Sequence, residues 1–359
     1  MLKAPFPYFG GKSKIAPAVW ARLGNVANYC EPFFGSGAML LSRPGTDYGI
    51  ETINDKDGYV ANFWRALQAA PDEVARYADW PVNENDLHAR HIWLVNHRPE
   101  FTAKLEGDPD YYDVKAAGWW VWGICCWIGS GWCSGNGPWN SVDGVMVNTG
   151  DGVKRQRVHL GPGRGVNRQL VHLGNAGRGV NRQRVHLGDA GRGVNRQLVH
   201  LGPGGNGMQS TKDSDHIYAY FAQLSARLRR VRVCSGDWER ICGPTPTFKN
   251  GLTGVFLDPP YSAEAGRDNG LYAEEDLSVA HRVREWCIAN GDNPLMRIAL
   301  CGYSGEGHDM LTDSGWTAHA WKAHGGYGSQ GEDTGRDNSK REVIWFSPHC
   351  LGKLQAELL

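Results

Sequence analysis

The sequence predicts an α/β protein with a doubly wound sheet, on three observations. A strand-like start at Asn28-Tyr29-Cys30 runs into Gly35 and Gly37, where the chain must turn tightly into a helix beginning near Met39. A second strand-like stretch, Tyr48 to Ile53, leads to Asp55. That acid stands about 20 residues beyond Gly35, where doubly wound folds place a carboxylate for ribose hydroxyls. A third apolar run, Val255-Phe256-Leu257, stops at Asp258-Pro259-Pro260-Tyr261 and reads as a buried strand ending in a turn.

The junctions carry the chemistry. Glycines between strand and helix let a ligand approach the backbone and the helix N-terminus, although a lone G-x-G is a weak sign. At the end of the third strand, Pro259 and Pro260 fix φ and carry no N–H, so the turn is stiff and its carbonyls remain acceptors. The Asp258 carboxylate and one such carbonyl suit both N–H bonds of an exocyclic amine such as that of adenine. Holding both protons in acceptors favours a more pyramidal nitrogen with a directed lone pair. Tyr261 supplies a flat face on which a base stacks, worth ~1–3 kcal/mol. The bland alternative is a Pro-Pro turn that only closes a strand. Further on, Leu277 to Asn290 reads as a helix, Arg297 to Tyr303 as the next strand and Arg341 to Ser347 as a late one.

Four motifs in order then carry a resemblance. Tyr8-Phe9-Gly10-Gly11-Lys12, Glu31-Pro32-Phe33-Phe34-Gly35-Ser36-Gly37, Asp55-Lys56-Asp57 leading into Asn62-Phe63-Trp64, and Asp258-Pro259-Pro260-Tyr261 together resemble the Dam-like DNA N6-adenine methyltransferases (D12 class, alpha group). The resemblance implies a Rossmann-like S-adenosylmethionine-dependent methyltransferase fold, with the target-recognition region inserted between cofactor motifs and catalytic tetrad. It implies cofactor contacts from Tyr8, Gly11, Lys12, Glu31, Pro32, Phe33, Gly35, Gly37 and Asp55. Asp237 or Trp238, at the strand end before the tetrad, is in the place where the family contacts the cofactor's adenine; Trp238 is equally readable as core. Asp258, Pro259, Pro260 and Tyr261 are the implied catalytic set, acting on an extruded adenine without a metal or a covalent enzyme intermediate.

Composition sets bounds. The chain has 359 residues, enough for one ordinary α/β domain and a substantial second region. Nine cysteines without a C-x-x-C pair, no signal peptide and no apolar run of membrane-spanning length lead to the expectation of a cytoplasmic protein of a bacterial or phage-infected cell, with reduced thiols. No metal site is expected, since His88 and His91 have no nearby cysteine or acid cluster. A monomer and a dimer are both compatible with the sequence. A solitary enzyme bearing repeats suits a phage or prophage.

The net charge of zero averages unequal parts. Between Gly152 and Asn206, Val158-His159-Leu160-Gly161 recurs at Val171, Val185 and Val199, a tandem duplication. Ten Lys or Arg, among them Arg157, Arg168, Arg182, Arg184 and Arg196, stand there against one acid, Asp189. Short stacked strands and a flexible arginine-glycine tether both fit this segment. In either form, regularly spaced arginines suit phosphates, against the alternative of a neutral expansion in a surface loop.

Between Trp119 and Trp139 lie six tryptophans, a density that reads as compact core rather than a set of base-stacking platforms. Gly137-Pro138-Trp139-Asn140 is similar to the end of the family's DNA-contacting hairpin, which implies DNA contacts from Trp139 and Asn140. Just before it, base-reading residues of the family are replaced by Trp132, Cys133 and Ser134, so recognition shorter or looser than four base pairs is expected.

The resulting division is a catalytic domain from residues 1–65 and 230–359 and a helical recognition region, 66–229, carrying the basic insertion 152–206. The expected function is S-adenosylmethionine-dependent methylation of adenine N6 in double-stranded DNA. RNA adenine, cytosine N4 and a non-catalytic DNA-masking protein with a decayed core are the alternatives. Drift would not have spared Gly35, Gly37, Asp55 and Asp258 together.

Overall fold

In the computed structural model, residues 2–8, 11–108, 110–127, 132–133, 139–142, 145–148, 211–260, 278–321 and 342–352 are described. The strands among them are β1 (Asn28–Glu31), β2 (Ile50–Asp55), β3 (Trp139–Val142), β4 (Val145–Asn148), β5 (Val231–Ser235), β6 (Thr253–Leu257), β7 (Met296–Tyr303), β8 (Thr317–Ala320) and β9 (Glu342–Phe346). β3 and β4 form a separate antiparallel pair, and the other seven form one sheet in the order β5-β2-β1-β6-β7-β9-β8.

Neighbours from β5 across to β7 are parallel, while β9 runs antiparallel between β7 and β8. The central strands β1 and β6 are buried at every residue, as expected of parallel strands covered on both faces. This is why Val255-Phe256-Leu257 reads as an unbroken apolar run. The edge strand β8 is largely exposed. From β1 the chain moves outward through β2 to β5, then returns to the other side of β1 as β6. The strand order therefore reverses between β1 and β6, and a crevice opens beyond their carboxyl ends.

The helices are α1 (Ala16–Leu23), α2 (Ala38–Leu41), α3 (Gly58–Ala69), α4 (Pro71–Ala78), α5 (Glu84–Gly107), α6 (Val114–Cys126), α7 (Thr211–Leu228) and α8 (Val279–Asn290). Their starts follow the capping rules. Asp57, Asn83 and Asp113 each accept a backbone N–H of the first turn of α3, α5 and α6. α6 is apolar almost all round and correspondingly buried, with Trp120, Trp122 and Cys125 sealed against its neighbours. Within the tryptophan-rich stretch, Trp120, Trp122, Trp127 and Trp132 are core, and Trp119 is partly buried. One cluster of buried apolar side chains runs without a break from the sheet, through Phe34, Ile53 and Phe256, into Leu94, Trp120 and Phe221 of the helices.

A buried charge network ties α7, the helix that follows the repeats in sequence, to the sheet. Glu51 of β2 accepts from Arg227 at 2.6 and 2.8 Å and from Arg43 at 3.0 Å. Both guanidinium groups lie over the Tyr48 ring. Among the described residues, no helix is long and apolar enough to cross a membrane.

Candidate active site

The β1 turn shows why its residues are glycines. Gly35 has φ +48°, and a Cβ there would lie 2.6 Å from the Tyr8 ring; Gly37 has φ +73°, and a Cβ would lie 2.8 Å from Phe34. Both positions exclude side chains by backbone conformation and by space. Gly35 is held from two sides: its N–H donates to Asp55 Oδ2 at 2.9 Å, and its carbonyl accepts Trp64 Nε1 at 2.9 Å. The spacing between Gly35 and Asp55 thus corresponds to a direct bond, since β1 and β2 are parallel neighbours.

Asp55 also accepts the Asp57 N–H at 2.9 Å. Burial pushes its carboxyl up to about 7, with the nearby Asp57 charge acting the same way against these backbone donors. Asp57 itself is occupied, capping α3 and pairing with Arg98 at 3.4 Å. Asn54, unremarked in the sequence, bridges two strand ends by donating to the Pro32 carbonyl at 3.1 Å and the Gly236 carbonyl at 2.9 Å. A buried asparagine next to an acid at a strand end is the only sequence signal it offers.

These ends enclose a cleft of about 960 Å³, open mouth included. Its walls are Tyr8, Gly11 and Lys12 from the first loop, Glu31, Pro32, Phe33 and Gly35 from the β1 end, and Asp55 from the β2 end. Asp237 and Trp238 follow β5, and Asp258 and Pro260 follow β6. Gly37 shapes the turn behind the wall, and Pro259 is buried beside it. Tyr261 and the repeat arginines Arg157, Arg168, Arg182, Arg184 and Arg196 lie outside the described residues. Trp139 and Asn140 fall on β3, where only the backbone is described.

Asp237 and Trp238 differ in kind. The Asp237 carboxylate caps the short helix 238–241 and pairs with Arg282 of α8 at 3.3 Å. Trp238 is buried, stacked on Phe33 with ring centroids 6.2 Å apart, and belongs to the core while lining the cleft.

Lys12 is buried, and its Nζ lies 3.1 Å from Asp258 Oδ1 and 3.6 Å from Glu342 Oε2 of β9. Burial opposes its charge, but Asp258, Glu342 and Cys301 outweigh that cost and hold its pKa above the ordinary lysine value. Burial also pushes the Glu31 carboxyl well above the usual range; the bond from the Tyr29 hydroxyl, 2.9 Å, works against this and the Asp258 charge with it.

Counted along its walls, the cleft sets Glu31, Asp55, Asp57, Asp237 and Asp258 against Lys12 and Lys56. A cation in this partly desolvated crevice favours the ionised forms of Glu31 and Asp55, which burial otherwise disfavours, and the acceptor oxygens of Asp55 suit hydroxyls. S-adenosylmethionine, a sulfonium with a ribose, fits both. Trp132 and Cys133, which precede Gly137 to Asn140 in sequence, are buried. Trp132 donates Nε1 to the Trp120 carbonyl at 3.1 Å beside His91 and Trp127.

Comparison with known families finds that residues 8–110 match D12 class N6 adenine-specific DNA methyltransferase. That span covers the first loop, the β1 turn and Asp55 at the end of β2. No curated protein matches the chain.

Proposed function

From residue 8 to residue 110 the chain carries a D12 class N6 adenine-specific DNA methyltransferase domain, and on that premise we propose how the cleft performs adenine methylation in DNA. The observation that carries the reading is the meeting of two strand ends. Asp258 after β6 faces the same crevice as Gly35 after β1, at the point where the strand order reverses.

In this reading, Asp55 accepts the ribose hydroxyls of S-adenosylmethionine, Gly35 leaves room for close approach, and Glu31 faces the cationic end of the cofactor. The cofactor supplies an electrophilic methyl group. Asp258 and the Pro259 carbonyl accept hydrogen bonds from the two N–H groups of an extruded adenine amine, and Tyr261 stacks on its ring. The rest is positioning and preorganised charge. Extrusion is required because a stacked, paired base does not expose its amine to a crevice at the strand ends. The division at residues 65/66 and 229/230 separates the part that holds the cofactor from the part that meets DNA, with the insertion 152–206 on phosphates.

Burial of Trp132 and Cys133 supports loose recognition, because side chains committed to the core do not reach base edges. The test is transfer of tritiated methyl from S-adenosylmethionine to unmethylated duplex DNA, followed by mapping N6-methyladenine in the genome of an expressing host. Methylation at sites sharing fewer than four bases is expected. A methylome confined to one motif of four or more bases would remove the loose specificity, and methyl found only on cytosine or RNA would remove the acceptor.

The Asp55 environment gives a pH signature. Burial pushes its carboxyl up to about 7, so the cofactor-free protein holds it protonated over a window where a free carboxylate is ionised. A ligand that donates hydroxyl protons to the ionised form binds more tightly as pH rises through that window. Cofactor affinity is expected to rise about tenfold between roughly pH 6 and 8, and Asp55→Asn is expected to bind weakly and without this step. Calorimetric titrations at several pH values check both. A flat wild-type profile would place the ribose contact elsewhere.

A further inference from the structure

We propose that Glu342 is a positioning residue for the reaction, acting through Lys12 on Asp258; the proposal rests on Asp258 meeting the target amine. Glu342 opens β9, the antiparallel strand between β7 and β8, and its register partner is Tyr303 at the end of β7. Its side chain is 6% exposed and that of Lys12 4%, so the cation between the two carboxylates is almost fully removed from water. The Glu342 carbonyl also accepts the Trp321 N–H at 3.1 Å, and the Lys12 ammonium lies 6.0 Å from the Trp321 ring centroid. The backbone carbonyl of Lys12 accepts the N–H groups of Ile15 and Ala16, which fixes the root of that side chain at the start of α1.

The charge count gives the arrangement its purpose. During transfer the amine nitrogen's lone pair forms the new C–N bond, the C–S pair returns to sulfur, and the nitrogen carries positive charge until a proton leaves to water. A carboxylate beside that nitrogen helps only if its charge is not already cancelled. Lys12 alone would cancel the charge of Asp258 while fixing its plane. Glu342 neutralises Lys12 from the other side, so the three groups together carry one net negative charge, facing the amine through Asp258. Attraction at these distances in a low-dielectric setting is strong, and misplacing or muting the catalytic carboxylate is costly. Among the described residues, Glu31 of β1 and Cys301 and Tyr303 of β7 also feel Asp258. None of these three is a cation, and Lys12, paired with both carboxylates, is the cation whose charge Glu342 offsets.

Glu342→Gln keeps the shape and removes the charge. The full-length wild type is first shown to methylate unmethylated duplex DNA; an inactive wild type would overturn the functional reading and this proposal with it. With an active wild type, E342Q is expected to lower kcat about tenfold with unchanged affinity for S-adenosylhomocysteine. The acid limb of the kcat profile should move to lower pH, because loss of a negative charge makes the remaining acids harder to protonate. Glu342→Asp retains the charge and should keep the wild-type limb and a kcat within about threefold; it is read alone if the Gln variant does not fold. Unchanged kcat in E342Q, a loss with the limb unmoved, or an equally deep loss in E342D would each overturn the role of Glu342 while leaving the methyltransferase reading intact.

Discussion

Asp258→Ala is expected to lower methyl transfer by at least about 10²-fold, the scale of losing one preorganised electrostatic partner, while S-adenosylmethionine still binds. The separation follows from where the residue sits. Asp258 lies at the end of β6, whereas Gly35 and Asp55 close their bond at the ends of β1 and β2 without it. Removing the carboxylate leaves Lys12 paired with Glu342 at 3.6 Å, so the buried cation is not stranded and the fold should survive. Calorimetry measures cofactor binding, and tritium transfer measures the chemistry. A variant that still methylates at the wild-type rate would remove Asp258 from the mechanism, and one that loses the cofactor as well would make it a binding residue.

Much of this site was legible because it is local in sequence or tied by a fixed spacing. Gly35, Gly37 and Asp55 announce a turn and an acid, and the parallel pairing of β1 and β2 turns that spacing into a hydrogen bond. The run before Asp258 showed a strand buried on both faces, which is what the centre of a parallel sheet requires. Boundaries were less legible. The strand read from Tyr48 begins at Ile50, where the Ile50 N–H first pairs with the Ala27 carbonyl. The helix read near Met39 is a single turn, Ala38–Leu41, because Ser42 ends it by bonding back to Met39.

What the sequence did not reveal depends on contacts between distant segments. Glu342 carries no local mark; only the antiparallel placement of β9 beside β7 brings it to Lys12. Asp237 and Trp238 were interchangeable as cofactor contacts by position alone. The structure separates them by Arg282, which comes from α8 and takes the acid, and by Phe33, on which the indole stacks. Likewise, nothing in the pair Trp132-Cys133 distinguishes residues that read bases from residues that are buried. Arg98 of α5 decides it, donating to the Cys133 carbonyl at 3.0 Å and pairing with Asp57, with the Cys133 N–H bonded to His91.

Replacing Gly152 to Asn206 with a short Gly-Ser linker is expected to weaken DNA binding at low salt and flatten its salt dependence by several units. The segment holds ten Lys or Arg and one acid, while the whole chain is neutral, so the remainder carries the opposing negative charge. Each phosphate contact releases counterions, and log affinity falls against log salt with a slope of ~0.9 per contact on duplex DNA. Deleting up to ten cations therefore removes several units of slope if they meet phosphates, and none if the repeats are a neutral expansion. Sequence preference should hardly change, because phosphate contacts position the protein without specifying bases. Cofactor affinity should also hold, since the cleft is built from the ends of β1, β2, β5 and β6, outside the deleted span. The fold should tolerate the change as well: Arg227 of α7, beyond the deletion, keeps its two bonds to Glu51 and anchors the returning chain to β2. Fluorescence anisotropy of a labelled duplex across a salt series measures the slope. An identical slope before and after deletion would end the reading of these arginines as DNA contacts.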